Sequence, residues 1–112
     1  IEIPQSVTEI GNFAFGKCKS LKEVKILGRI THIDEAIFAG CESLKEIIIP
    51  NSVQKIGAFV FAGCTSLREI TIPTSVKEIA EGAFDRCTSL KIRWNEKFYD
   101  TVSEFFADFN KK

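Results

Sequence analysis

Methionine is absent from this 112-residue chain, histidine and tryptophan occur once each, and proline three times. Neither sign of charge is in excess: 15 Lys and Arg offset 15 Asp and Glu, for a formal net charge of +0. A phosphate-binding face needs a marked surplus of Lys and Arg, so the balance argues against nucleic acid as a partner. It argues equally against electrostatic docking on anionic lipid. Long apolar runs are missing too. The longest, Ile47-Ile48-Ile49, is stopped by Pro50, far short of the roughly 20 residues that cross a bilayer as a helix, so no membrane insertion is expected. With no Met, and with Ile1 opening inside an apparent strand, the chain reads as a piece of a longer or processed protein. The lack of a signal peptide is then uninformative.

What the chain does contain is 45% hydrophobic residues, including ten Phe, enough for one continuous core in one domain. A fixed period organises them. Cys18, Cys41, Cys64 and Cys87 are 23 residues apart, and the same step links Phe15, Phe38, Phe61 and Phe84. It also links Leu21, Leu44, Leu67 and Leu90; Ser20, Ser43, Ser66 and Ser89; and Ile10, Ile33, Ile56 and Ile79. Self-similarity at such a period marks a repeat architecture. The units are 3–25, 26–48, 49–71 and 72–94.

Each unit has two textures. Ile47 and Ile49 alternate with Glu46 and Ile48, the period of a strand, and Pro50, like Pro4 and Pro73, closes it. Ile56, Val60, Phe61 and Cys64 have instead the spacing of a short helical turn. One unit cannot bury its own apolar face. Stacked units can, with strands pairing in parallel about 4.8 Å apart.

The run Leu-x-x-Ile-x-Ile-Pro-x-Ser-Val-x-x-Ile-Gly-x-x-x-Phe-x-x-Cys, complete from Leu44 to Cys64, resembles the BspA-like, or Treponema pallidum-type, leucine-rich repeat across residues 1–94. The expected fold is therefore α/β: a leucine-rich repeat solenoid of four 23-residue turns, with a parallel β-sheet on one face and short helical turns opposite. Repeat two departs from the pattern with Leu27 for Pro, Arg29 for Ser and Asp34 for Gly, which predicts a looser turn. The final Leu90-Lys91-Ile92-Arg93-Trp94 is one residue short of register. Beyond it, in 95–112, Phe98, Val102, Phe105, Phe106 and Phe109 fall on one helical face. They predict a C-terminal capping helix over the last repeat, ahead of a Phe-rich dimer surface. The other end has no such cap, so Ile1 and Ile3 would form an open edge suited to homo-association.

No constellation for catalysis, metal or cofactor emerges. On a ladder of about 4.8 Å steps the outer cysteines lie about 14 Å apart, too far to share one zinc ion. Adjacent ones could reach disulfide distance, but reduced, buried thiols serving as small hydrophobes are favoured. His32 shares a column with Glu9, Lys55 and Glu78, an exposed polar position, and the serines recur as architecture rather than once as a nucleophile.

The surface remains. Outward positions on the strands include Glu23, Lys25, Leu27, Glu46, Ile48, Glu69 and Thr71, a candidate protein-binding strip. Its charge columns, with Lys22, Lys45, Arg68 and Lys91 beside the glutamates, have a plainer explanation in keeping the sheet soluble. Phe13 and Phe59, sharing a column with Ala36 and Gly82, form a second candidate if they are not partly buried. The resemblance implies a non-catalytic adhesion module, at the cell surface or secreted, with a host or matrix protein as ligand. The competing expectation is a spacer segment of a longer solenoid, and the weakest a hydrolase built on the scaffold.

Overall fold

The computed structural model describes residues 1–111; Lys112, the last residue of the expected cap, lies outside them. Where buried and exposed residues alternate the chain extends, giving β1 (Glu2–Ile3), β2 (Glu23–Ile26), β4 (Glu46–Ile48), β6 (Glu69–Ile72) and β8 (Lys91–Trp94). A second, shorter column follows after each turn: β3 (His32–Ile33), β5 (Lys55–Ile56) and β7 (Glu78–Ile79). All of these pair in parallel with neighbours one coil away. The register keeps the 23-residue step at Glu2↔Lys25 and Glu23↔Glu46. It shortens by one residue at Glu69↔Lys91, as the sequence foretold.

The main column is not one continuous sheet. It divides into β1-β2-β4 and a second sheet beginning β6-β8, with no ladder between β4 and β6. Those two coils stay joined elsewhere. On the second column Ala80 N–H donates to Ile56 O at 2.9 Å, and on the arc Phe61 N–H donates to Ala83 O at 2.8 Å. The division is therefore a crack on one face of a closed stack.

The arc opposite the strands carries the expected turns in a particular form. They are single reverse turns strung together, with Ala39 N–H on Ala36 O (3.1 Å), Cys41 N–H on Phe38 O (3.2 Å) and Leu44 N–H on Cys41 O (3.1 Å). A longer helix cannot grow there because the chain turns left-handed twice per coil. Phe13, Ala36 and Phe59 have φ of 61°, 55° and 59°, and Gly82 has 78°. Freed from helix bonds, the arc amides reach the next coil, as Phe15 N–H does to Ile37 O at 2.9 Å and Phe38 N–H to Val60 O at 3.0 Å.

Inside, identical side chains pile up. The rings of Phe15, Phe38, Phe61 and Phe84 stack at 5.5, 5.9 and 5.8 Å with interplanar angles of 8° or less. The thiols of Cys41, Cys64 and Cys87 donate back to the carbonyls of Phe15, Phe38 and Phe61 at 3.1, 3.3 and 3.1 Å. Burial pushes the Cys64 thiol up to about 12 and Cys87 up to about 11. Cys18 corrects the expectation of four buried thiols: it is exposed, whereas each of the other three is covered by the phenylalanine carbonyl 26 residues earlier. Two serine hydroxyls, outside the Ser20 column, likewise bridge coils, Ser52 Oγ donating to Ile30 O at 2.9 Å and Ser75 Oγ to Val53 O at 2.7 Å.

Repeat two does lose a turn bond. Val7, Val53 and Val76 N–H each donate to the proline carbonyl three residues earlier, and no such bond closes residues 27–30. The bend is close-packed nonetheless: a Cβ on Gly28 would fall 2.3 Å from Val7 O, so only glycine passes there.

The tail differs in detail from the expected continuous helix. Asn95 and Glu96, with φ of 52° and 65°, form a two-residue turn of the kind that suits a twisted hairpin. It reverses the chain into β9 (Lys97–Tyr99), antiparallel to β8. Phe98 therefore sits on a strand, 67% exposed, with the Arg93 guanidinium 5.0 Å from its ring centre. The helix α1 (Val102–Phe109) begins after Thr101. Its Phe105 and Phe109 are buried and meet the Trp94 ring at 5.7 and 5.3 Å. Phe106 ends the phenylalanine stack 6.0 Å from Phe84. The Tyr99 hydroxyl ties the hairpin to this helix, donating to Asp108 Oδ2 at 2.8 Å. That bond holds the Asp108 carboxyl below its usual range, while burial and the same bond raise the Tyr99 hydroxyl.

Candidate functional site

The strand pleat sets the character of the main sheet face. Val24, Ile47 and Ile70 point inward and are buried, so Glu23, Lys25, Glu46, Ile48, Glu69 and Thr71 point to solvent. Leu27 is only half exposed, which weakens it as an apolar anchor. The flanking prolines differ among themselves: Pro4 is exposed, Pro50 half-buried and Pro73 buried.

The crack between β4 and β6 separates this strip into two groups. Glu46, Ile48, Glu69 and Thr71 line an open depression of about 520 Å³ along it. Glu23 and Lys25 lie beyond β4, with Glu23 opposite Glu46 and Lys25 opposite Ile48. Ile48 is 47% exposed, an apolar side chain at the lip of the crack. Among the described residues the ion pairs are Lys55–Glu78 at 3.5 Å and Lys111–Asp108 at 3.6 Å. The charge columns of the strip thus stand unpaired in solvent, where complementary charge on a partner would steer encounter more than it would add affinity.

His32 is exposed, and its Nδ1 lies 2.9 Å from the hydroxyl of its neighbour Thr31. No carboxylate orients the ring in that contact, as a nucleophile–base pair would require. Among the described residues no group of three or more His, Cys, Asp or Glu could hold a metal ion. No described helix is long and apolar enough to cross a membrane.

Phe13 and Phe59 emerge on the arc, 61% and 46% exposed. Phe13 stands mostly in solvent, while Phe59 is partly buried, its ring against Gly82. What sequence reading missed is their left-handed backbone. The signal was the glycine at position 82 of the same column.

The same architecture recurs in solved structures. A leucine-rich repeat protein from Bacteroides ovatus is 40% identical with a TM-score of 0.77, over 83% of this chain and 24% of its own. A leucine rich cell surface protein from Faecalibacterium prausnitzii is 34% identical with a TM-score of 0.68, over 96% of this chain and 34% of its own. The T. pallidum leucine-rich repeat protein is 28% identical with a TM-score of 0.62, over 82% and 56%. This chain thus spans only a part of each. No curated protein matches it. A family model described as the BspA type leucine rich repeat region (6 copies) matches residues 1–111. With its coil period, its core columns and its fold all in agreement, the chain belongs to the BspA-type leucine-rich repeat family.

Proposed function

We propose that this chain is a non-catalytic protein-binding module of a cell-surface or secreted protein, and that it meets its partner through the strip Glu23, Lys25, Leu27, Glu46, Ile48, Glu69 and Thr71. The observation that carries this reading is Ile48, 47% exposed at the lip of the crack between β4 and β6. An apolar group beside an open depression and flanked by unpaired charge has the make-up of an interface centre with a polar rim. A relative from Faecalibacterium prausnitzii is described as a cell surface protein, which supports the location. Solenoids commonly use an extended sheet face for contacts of this kind.

Surface plasmon resonance against immobilised extracellular-matrix proteins tests the reading. Saturable binding that Ile48→Asp weakens at least about tenfold, the loss expected of a central anchor, would support it. Equal binding by wild type and variant would remove the strip from the interface. Absence of binding across the panel would favour the spacer reading, in which the outward face only keeps the stack soluble.

A further inference from the structure

A row on the arc carries a pattern that stacking does not require. Phe13, Ala36, Phe59 and Gly82 share a left-handed backbone on the 23-residue step, so the turn imposes it in each coil. Glycine or asparagine meets that demand with least strain, and a bulky residue there is an outlier. Phenylalanine accepts it twice, and both rings face solvent. Strain kept by a side chain that adds little to the core points to a use outside the core.

The row forms a groove. Phe13 and Phe59 stand two coils apart, about 9.6 Å at the usual ladder step, with the buried Ala36 between them. A Cβ on Gly82 would lie 2.6 Å from Phe59 Cε1, so this ring leans over the fourth coil and excludes a large neighbour there. Alongside runs a second left-handed column, Lys17, Gly40, Gly63 and Arg86, whose two glycines leave bare backbone as a floor. Rings and floor together line an open depression of about 470 Å³.

A polyproline II helix has three residues per turn and rises about 3.1 Å per residue, so one of its faces repeats every ~9.3 Å. That matches the two-coil step between Phe13 and Phe59, and proline-rich segments dock on aromatic-lined grooves of this kind. Charge sets a direction. Lys17 marks the Phe13 end, Glu42 lies beside the floor, and Glu81 and Asp85 flank Phe59 at the other end. Arg86 offsets only part of the acidic end, and none of these side chains forms an ion pair among the described residues. The complementary peptide is acidic where it meets Phe13 and basic where it meets Phe59.

We propose that this groove binds an extended proline-rich peptide in the polyproline II conformation, running along the solenoid axis with its acidic end at Phe13. The site is separate from the sheet strip and stands without it. Fluorescence anisotropy with a dye-labelled oligoproline, glutamates at one end and arginines at the other, provides the test. Saturable binding is expected, and Phe13→Asn with Phe59→Asn should weaken it at least about tenfold. The thermal midpoint of that double variant should hold or rise, since asparagine tolerates the left-handed region. Lys17→Glu, which keeps both rings, should weaken the same peptide several-fold. A peptide of the same charges with glycines replacing prolines should bind at least about tenfold less tightly. Equal curves for wild type and the double variant, equal affinity for the glycine peptide, or no binding of the oligoproline would overturn the proposal. So would ring-dependent binding of a linear oligosaccharide in place of the peptide, which would assign the rings to sugar stacking.

Discussion

Phe61 shows at the scale of one residue how this fold is held. Its ring is fully buried and lies between Phe38 at 5.9 Å and Phe84 at 5.8 Å. Phe61→Ala should therefore cost about 3–5 kcal/mol in a denaturant titration. Phe15→Ala should cost less, because Phe15 is half-buried and stacks on Phe38 alone. A buried thiol makes a different demand. Cys64 ionises at 9.0 ordinarily and at about 12 in the fold, where burial disfavours the thiolate. Above pH 9 the unfolded chain releases this proton and the folded chain does not, so the contribution is intact below about pH 9 and is lost as pH rises toward about 12. Thermal melts should show the decline over that window, and Cys64→Ser should flatten it. The cysteine column was legible as core from its period alone. The exposure of Cys18 was not, because the cover over each thiol is a neighbouring coil rather than a neighbouring residue.

Among the elements, the C-terminal helix is where local and tertiary signals parted. The spacing of Phe98 and Val102 imitates a helical face, yet the helix starts later, at Thr101. Thr101 Oγ1 accepts from Glu104 N–H at 3.1 Å and donates to Glu104 Oε1 at 3.0 Å. A threonine followed three residues later by glutamate is a start signal already written in the sequence. Thr101→Ala should destabilise the protein by about 1 kcal/mol in chemical denaturation. The hairpin before it was hidden for a specific reason. Its turn has the favoured Asn95 at the first position but Glu96 where glycine is usual, so the composition of residues 95–97 carries only half of the usual reversal signal. The crack between β4 and β6 was hidden more completely, because both strands carry the same repeat pattern as strands that do pair.

The whole molecule is a short solenoid measuring 33 × 25 × 20 Å, with α1 packed against β8 and β9. A stack of this kind has no edge-strand problem except at its ends.

Period alone determined the coil and its core columns, because a repeat that stacks on itself must place equivalent residues in equivalent surroundings; the shortened last step and the helical tail were legible where that period fails and a helical spacing follows it. Tertiary structure decided what distinguishes one coil from the next. It opened the sheet at Ile48, covered three of the four thiols with a neighbouring carbonyl, turned Phe98 outward and set the Phe59 ring against Gly82 of the next coil. Those outcomes depend on which coil lies on either side, and that is information no single repeat contains.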